Sequence, residues 1–421
     1  MKEGVDILRS SNLYKEAESR LKELVQLESQ LLSKLKHYPD GKIRINTNCE
    51  KWDGLKEKFG KADLLPLWVA DMDFEVAEPI KKALHKYIED GVYGYYKIPN
   101  EYYETYIKWE KERHNIVVNK EWIRFSPGVV AGINWILQIF TEVGDSVLNI
   151  VPVYYPFQDG VNSNNRNLVV SELIRDKDNN YVIDYEDIEN KIIENNIKLI
   201  IFSSPHNPVG RVWEKEEIVK LLDICKKHNV YFISDEIHHD ILMKGYKHTS
   251  VINLDKYDDI TFVFTSTSKT FNIAGFRNSF LVIKDKNNRD KYDEYFNKLR
   301  ISSGASVGYI AAIAAYTSGK EWFDEVLEII ENNYKYVCDE LLKKFTLLDI
   351  AKLEGTYLMW IGLDKYIKNE SIPDLIENKM KIAIDYGSWF GSEKYKNYIR
   401  VNLATSKENI NKFVEAFKKV M

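Results

Sequence analysis

Cysteine is scarce in this sequence, with three among 421 residues. Cys49, Cys225 and Cys338 lie far apart and form no C-x-x-C pair, so the sequence predicts neither a disulfide framework nor a metal site of the zinc type. This cysteine usage is typical of a reducing compartment, and we expect a cytoplasmic protein.

Long apolar runs are also missing. No stretch approaches the roughly 18 uninterrupted apolar residues that a membrane-spanning helix needs. Residues 1–20 mix charged with scattered apolar residues and do not have the pattern of a secretory signal. We therefore expect neither a membrane segment nor a membrane as a partner.

An excess of positive charge is absent as well, because 59 Lys and Arg residues against 64 Asp and Glu residues leave a net charge of −5. This balance does not favour nucleic acid as a partner. Hydrophobic residues make up 44% and charged residues 29% of the chain, as in ordinary globular proteins. One hydrophobic core stops growing at roughly 250 to 300 residues, so we expect two subdomains around a shared site.

Residues 1–40 are predicted to form an amphipathic helical extension, which the run Pro39-Asp40-Gly41 ends. Apolar residues recur there every three or four positions among Lys, Glu, Gln and Ser: Leu13, Ala17, Leu21, Leu24, Leu27, Leu31 and Leu35. This stripe could pack against the rest of the protein or a second subunit, or it could dock another protein. The sequence does not separate these alternatives.

Between about residues 120 and 285, short apolar or β-branched runs alternate with helical stretches. The runs are residues 146–151 (SVLNIV), 198–202 (KLIIF), 230–234 (VYFIS) and 260–264 (ITFVF). Strands buried on both faces have this composition, and their alternation with helices predicts a mainly parallel α/β sheet. Ligands of such sheets bind at the carboxyl ends of the strands, so the polar residues after each run are the candidates for chemistry.

The remaining parts of the chain are predicted to form a smaller α+β domain. Residues 41–85 and 321–421 would build it together, because long amphipathic helices and the run at 398–402 (YIRVN) follow residue 320. Residues 86–320 would form the large domain with the parallel sheet.

Lys269 and Asp235 form the most informative pair in the sequence, since each directly follows a predicted buried strand. Burial favours the neutral form of a lysine, which is the nucleophile needed to form an imine. A nearby carboxylate can keep a pyridine nitrogen protonated, and pyridoxal 5′-phosphate (PLP) accepts electrons strongly only in that state.

Several motifs resemble the fold-type I PLP enzymes of the class I/II aminotransferase family. They are residues 66–74 (PLWVADMDF), 93–95 (YGY), 204–210 (SPHNPVG), 233–238 (ISDEIH) and 266–275 (STSKTFNIAG). The likeness is greatest to the cystathionine β-lyase, or C–S lyase, branch, which includes a bifunctional lyase and maltose-regulon modulator. It covers about residues 42–421. The resemblance implies the aspartate aminotransferase-like fold, with a mainly parallel seven-stranded sheet in the large domain, and PLP as the cofactor.

The resemblance also implies how the cofactor ring is held. Lys269 would form the Schiff base and later move the Cα proton, while Asp235 would pair with the pyridine nitrogen. Asn207 and His238 would hydrogen-bond the phenolic oxygen. Tyr154 would stack on the ring, with the neighbouring Tyr155 as the alternative.

Other residues are expected to hold the phosphate and the substrate. The phosphate would bind at the helix start of residues 128–132 (GVVAG), at Val130 and Ala131, where free N–H groups favour an anion. Ser266, Ser268 and Arg277 would add donors. Arg277 is less typical of the C–S lyase branch.

Arg400 would bind the α-carboxylate of an amino-acid substrate, with Asn207 beside it. Tyr95 would reach the phosphate of a neighbouring subunit, which implies a homodimer with shared sites.

The function favoured by the sequence is α,β-elimination from cystathionine or a related S-substituted cysteine, giving pyruvate, ammonia and a thiol. An aminotransferase on the same scaffold is the first alternative. A regulatory protein that binds a transcription factor is the second.

Overall fold

The computed structural model describes residues 16–17, 19–21, 23–24, 41–301, 303–367 and 371–421. The chain divides into two compact units, Met1–Asp40 and Gly41–Met421. The described residues of the first unit are helical. Arg20 and Glu16, four residues apart, form an ion pair at 3.5 Å there. The rest of the helix predicted over residues 1–40 lies outside the described residues.

The second unit contains the strands and most of the described helices. The strands are β1 (Leu65–Pro66), β2 (Ile123–Ser126), β3 (Ser146–Val151), β4 (Asn167–Glu172), β5 (Ile174–Arg175), β6 (Tyr181–Val182), β7 (Ile197–Ser203), β8 (Tyr231–Asp235), β9 (Thr261–Thr265), β10 (Ser279–Val282), β11 (Asp349–Ile350), β12 (Leu358–Gly362), β13 (Ile382–Ala383), β14 (Asp385–Tyr386) and β15 (Tyr398–Asn402). The strands predicted near residues 146, 198, 230 and 260 are therefore confirmed, with ends shifted by at most one residue, and the run at 398–402 forms β15.

The α-helices of this unit are α1 (Glu50–Asp53), α2 (Leu55–Phe59), α3 (Glu78–Glu89), α4 (Asn100–His114), α5 (Val129–Phe140), α6 (Pro156–Ser163), α7 (Tyr185–Asn195), α8 (Lys215–Lys227), α9 (Thr267–Thr270), α10 (Lys286–Lys298), α11 (Ser306–Ser318), α12 (Lys320–Leu342) and α13 (Lys407–Val420). Single 3₁₀ or π turns supplement them, among them Gly387–Phe390 and Asp374–Lys379. Within the described residues, none of the helices has the length and apolar character needed to cross a membrane.

A seven-stranded sheet in the order β2-β10-β9-β8-β7-β3-β4 forms the centre of the large α/β region. Strand β10 is antiparallel to both of its neighbours, and β9, β8, β7, β3 and β4 pair in parallel. Alternate residues of β7 belong to separate hydrophobic clusters, with Ile200 and Phe202 in one and Leu199 and Ile201 in the other. Both faces of the sheet are thus covered, as the uninterrupted apolar runs predicted. The predicted fold class is confirmed.

A second, four-stranded antiparallel sheet has the order β11-β12-β15-β14. Next to it, the N-terminal strand β1 pairs in parallel with β13, Leu65 opposite Ile382 and Pro66 opposite Ala383. The N-terminal residues of this unit therefore pack with its C-terminal part. The domain boundaries at residues 85 and 320 stay predictions.

Candidate active site

A cavity of about 300 Å³ opens at the carboxyl ends of the parallel strands. Strand β7 ends at Ser203, which lies opposite Asp235, the last residue of β8. Strand β9 leads through Ser266 into α9, the short helix that carries Lys269. Most of the side chains that the sequence nominated line this cavity: Val130, Ala131, Tyr154, Asn207, Asp235, His238, Ser268, Lys269 and Arg277.

Lys269 is a partly buried lysine on the cavity wall. Its Nζ donates a hydrogen bond to the carbonyl oxygen of Ala70 at 2.6 Å. Burial lowers the pKa of Lys269 to about 8, although the negative charges of Asp71 and Asp235 oppose this effect. A substantial fraction of the amine is therefore neutral near pH 7 to 8, as a nucleophilic lysine requires.

Asp235 is buried at the end of β8, and its Oδ1 accepts a hydrogen bond from the backbone N–H of Ile237 at 3.0 Å. Burial raises the pKa of Asp235 to about 7, which the hydrogen bond from Ile237 and the charge of Lys269 partly offset. A cation placed next to this carboxyl group would favour its ionised form. Asp235 is thus suited to hold a protonated ring nitrogen.

His238 is buried on the cavity wall, and its Nδ1 has no hydrogen-bond partner among the described residues. Burial holds the pKa of His238 well below its usual range, and the nearby positive charges of Lys269 and Arg400 act in the same direction. Its ring packs edge to face against Tyr357, with 5.8 Å between the centroids. A neutral imidazole with an unpaired nitrogen is available to hydrogen-bond a ligand.

The N-terminus of α5 borders the cavity. Gly128 precedes the helix with φ 140°, a backbone conformation that favours glycine. A Cβ atom at Gly132 would lie 2.3 Å from Cε1 of Phe264, so this helix packs tightly on the sheet. Among the described residues, Arg277 forms no ion pair with a carboxylate, and its side chain lines the same cavity. Free N–H groups and an unpaired guanidinium together favour a phosphate group.

Three of the predicted site residues lie elsewhere. Ser266 is buried and caps α9, where its Oγ accepts from the N–H of Ser268 at 3.0 Å and donates to the carbonyl of Asn278 at 2.8 Å. Tyr95 is fully exposed, on a segment outside helices and strands. Arg400 is buried and is not among the residues that line the cavity, but its Nη1 donates to Oδ1 of Asn207 at 3.0 Å. Arg400 is therefore in direct contact with a residue of the cavity wall.

Asp385, which forms a buried ion pair with Arg400, was not predicted from the sequence. The two residues are opposite each other on β14 and β15. Two further residues at Lys269 were not predicted: Ala70, whose carbonyl accepts from Lys269, and Tyr357, whose hydroxyl donates to the same carbonyl at 2.8 Å. A single acidic residue in a two-residue strand cannot be recognised from the residues around it. Its partner is determined by the register with the neighbouring strand.

Tyr154 and Tyr155 were alternatives for the ring-stacking position. Tyr154 lines the cavity. Tyr155 packs against Trp389 and Phe390, with centroid distances of 6.0 and 5.8 Å. This placement favours Tyr154.

Comparison with known proteins places these features in a family. Residues 62–417 match the family described as aminotransferase class I and II, and the chain belongs to that family. It is 35% identical over 365 residues to cystathionine beta-lyase PatB of Bacillus subtilis, covering 86% of this chain and 94% of that protein.

Solved structures give the same result. The PLP-bound C–S lyase from Staphylococcus hominis superposes with a TM-score of 0.84 at 31% identity, covering 90% of this chain and 96% of that chain. Cystalysin from Treponema denticola, which contains a pyridoxal 5′-phosphate cofactor, superposes with a TM-score of 0.85 at 32% identity, covering 91% of this chain and 99% of that chain. The resemblance to the C–S lyase branch is confirmed.

Proposed function

We propose that the protein is a PLP-dependent carbon–sulfur β-lyase that converts cystathionine or a related S-substituted cysteine to pyruvate, ammonia and a thiol. The observation that carries the proposal is the convergence of Lys269, Asp235 and Asn207 on one cavity at the strand ends. The similarity to cystathionine beta-lyase PatB and to the Staphylococcus hominis C–S lyase structure supports the reaction type, and the similarity to PLP-containing cystalysin supports the cofactor.

The polar groups of the cavity fit PLP. The unpaired Nδ1 of His238 and the unpaired guanidinium of Arg277 are the specific observations, because each offers a hydrogen bond that no described residue takes. The residues that would hold the cofactor are Lys269, Asp235, Asn207, His238, Tyr154, Val130, Ala131, Ser268 and Arg277, with Ser266 positioning Ser268. When bound, PLP supplies an aldehyde that reacts with amines and a protonated ring that accepts electrons from Cα.

Lys269 performs two tasks in this proposal. Its amine is neutral in a substantial fraction of molecules, because burial lowers its pKa to about 8, so Lys269 would be the residue that holds the cofactor covalently. The same amine would serve as the base that accepts the proton from the substrate Cα. The carbonyl of Ala70, 2.6 Å from Nζ, gives the side chain a defined resting position.

Asn207 and Arg400 would bind the substrate α-carboxylate. Oδ1 of Asn207 accepts from Arg400, so the amide Nδ2 of Asn207 remains available to donate toward the cavity. A carboxylate fixed at this point would orient the substrate Cα. A thiolate on Cβ then leaves readily, because a thiol with a pKa near roughly 8.5 is a much better leaving group than a hydroxyl.

Aminotransfer is the second candidate, because the family takes its description from that activity. Both reactions need the same lysine and aspartate. Transfer to a dicarboxylic acceptor usually needs a second cation for the distal carboxylate. Arg277 lies on the cavity wall with the proposed phosphate site, which leaves Arg400 as the substrate arginine. A regulatory role that binds a transcription factor has no specific support in the described residues.

We also propose a homodimer with shared sites. Tyr95 is fully exposed, and Val92 and Tyr93 on the same segment are 80% and 59% exposed. Exposed aromatic and apolar side chains in one segment favour burial against a partner. A cytoplasmic location stays a prediction from the cysteine usage.

The test of the reaction type is a pair of incubations. One contains the holoenzyme with cystathionine and measures thiol and pyruvate, and the other contains an amino-acid panel with 2-oxoglutarate and measures glutamate. We expect thiol and pyruvate to form in equal amounts and faster than any glutamate. Sustained glutamate formation without thiol release would instead establish the aminotransferase.

A further inference from the structure

The side chain proposed to bind the substrate carboxylate already has a carboxylate partner. Asp385 and Arg400 form an ion pair in which both side chains are 2% exposed. Their backbones are opposite each other in the β14–β15 pair, so strand register fixes the contact. In a buried setting, an ion pair so close interacts far more strongly than it would in water.

The hydrogen bonds of Arg400 show which of its N–H donors remain available for a ligand. Its Nη2 donates to the carbonyl of Trp68 at 3.1 Å and to Asp385, while Nη1 donates to Asn207. Both hydrogens of Nη2 are therefore committed, Nη1 has one left, and the buried Nε–H has no partner among the described residues. The guanidinium cannot offer two parallel N–H groups from Nη1 and Nη2 to one carboxylate while Asp385 is bound. One donor from Nη1 and one from Asn207 are sufficient for a single carboxylate.

The charge of Asp385 acts on two tyrosines at or next to the cavity wall, Tyr154 and Tyr155. Burial raises the pKa of Tyr155, and the charge of Asp385 adds to the increase while Arg400 opposes it. Burial also raises the pKa of Tyr154, which lines the cavity; Tyr155 adds to the increase, Arg400 opposes it, and the charge of Asp385 adds a smaller increase. The exposed Lys58, whose Nζ lies 4.3 Å from the ring centroid of Trp389, is the other cation acting on Asp385.

We propose that Asp385 makes the cavity select against a distal group of net negative charge and favour S-substituted cysteines whose distal group is cationic or, like the zwitterionic distal end of cystathionine, carries no net charge. This inference rests on the proposed lyase function, and it names the substrate class of that site. Asp385 neutralises Arg400, so the pair attracts one carboxylate by hydrogen bonding without presenting a net positive charge to a second one. A distal ammonium group meets no repulsion from a neutralised pair. Asp385 is a specificity-determining residue in this account.

A purely structural role for Asp385 predicts a different result. If the carboxylate only held Arg400 in place, its loss would weaken binding of every substrate to the same degree, because all of them carry the α-carboxylate. Selectivity for the distal charge would not change. The ratio of activities on substrates that differ only at the distal group separates the two roles, since the α-carboxylate contribution cancels.

The experiment uses the holoenzyme with three cysteine derivatives of similar size: S-(2-aminoethyl)-L-cysteine, S-(2-hydroxyethyl)-L-cysteine and S-carboxymethyl-L-cysteine. Their kcat/KM values are measured for the wild type and for Asp385→Asn, with Asp385→Ser as a second neutral variant. Asp349→Asn is the matched control, because it also removes one negative charge from the same sheet, at β11. Asp349 forms an ion pair with Arg175. Comparing each variant with the wild type also cancels the different leaving abilities of the three thiols.

We expect the aminoethyl-to-carboxymethyl ratio of kcat/KM to fall by about tenfold or more in Asp385→Asn and Asp385→Ser, as the loss of one poorly screened charge implies. The ratio should be unchanged in Asp349→Asn. The proposal is overturned if a folded Asp385 variant has the same aminoethyl-to-carboxymethyl ratio of kcat/KM as the wild type.

Failure of the lyase function would be recognisable separately. If the wild type released no thiol or pyruvate from any of the three, the reaction type would be wrong. Binding of L-2,4-diaminobutyrate, L-homoserine and L-aspartate, followed by the cofactor absorbance, then tests Asp385 by itself. In that case we expect Asp385→Asn to strengthen the binding of L-aspartate relative to that of L-2,4-diaminobutyrate. Unchanged relative affinities would overturn the proposal.

Discussion

Asp240 accepts a hydrogen bond from the hydroxyl of Thr270 at 2.7 Å, and Thr270 directly follows Lys269. The other oxygen of Asp240 accepts from Trp109 at 3.0 Å and lies 2.7 Å from Nε2 of His114, both on α4. The buried carboxylate of Asp240 thus connects α9, the helix of the candidate catalytic lysine, to α4. Burial alone would raise the pKa of Asp240, but His239, His114 and Arg113 hold it well below its usual range.

Thr270→Val should loosen this connection. The free energy of unfolding should fall by about 1 to 3 kcal/mol, because a buried hydrogen bond to a charged acceptor is lost. The value of kcat should fall as well, since Lys269 loses part of its support. Thr261→Val is the control, because it removes a buried hydrogen bond to a neutral carbonyl of Tyr257 far from Lys269. Denaturant unfolding and steady-state kinetics measure both, and equal kcat values for the two variants would contradict the positioning role.

Asp235→Asn should retain the cofactor but lose most of its turnover. The amide fits the same space, yet it cannot stabilise a protonated ring nitrogen, so the ring accepts electrons less well. Bound cofactor is measured by absorbance and turnover by thiol release. A turnover close to that of the wild type would exclude Asp235 from this role.

The pH dependence of stability should reveal a charged histidine in the interior. His239 lies 2.8 Å from the carbonyl of Glu236 through Nδ1 and 2.9 Å from Glu110 through Nε2, so both ring nitrogens act as donors. Burial alone would lower the pKa of His239, but Glu110 and Asp240 raise it to about 10. The folded pKa lies above the ordinary value of 6.5, so this contribution is complete below pH 6.5 and is lost as the pH rises toward about 10.

Glu110→Gln should therefore reduce the loss of unfolding free energy between pH 6.5 and 9.5. Glu189→Gln is the control, because it breaks the more exposed Glu189–His228 pair, at 31% and 21% exposure, and surface ion pairs contribute little. Urea unfolding at several pH values gives the slopes. The same slope in Glu110→Gln and the wild type would show that His239 is not charged in the folded protein.

Tyr95 provides the test of shared sites. Tyr95→Phe should weaken PLP binding, because the hydroxyl would donate to a phosphate in the neighbouring subunit. Inactive Lys269→Ala mixed with a Tyr95 variant should regain part of the activity, since one of the two heterodimer sites contains both intact residues. A catalytically active monomer in sedimentation would contradict the dimer.

The site residues that the sequence could predict share one property. Lys269, Asp235 and Asn207 follow buried strands, and the positions of such strands can be read from local apolar runs. The topology of parallel strands then brings their ends together.

Other features depend on contacts that no local pattern encodes. The Glu110–His239 pair joins residues 129 positions apart, and it forms only because α4 packs near the end of β8. The Asp385–Arg400 pair depends on the register of a two-residue strand. The Arg400–Asn207 hydrogen bond joins residues 193 positions apart, and Asn207 lines the cavity. These contacts form only when separate strands and helices pack together, so no local run of residues predicts them.

The most direct measurement is borohydride reduction of the holoenzyme followed by peptide mapping. Reduction should fix the cofactor to the peptide that contains Lys269, and the Lys269→Ala variant should lose both the label and the yellow colour. Lys284, which pairs with Asp258 at 3.0 Å outside the cavity, should stay unlabelled. Cofactor attached to any lysine other than Lys269 would contradict the account.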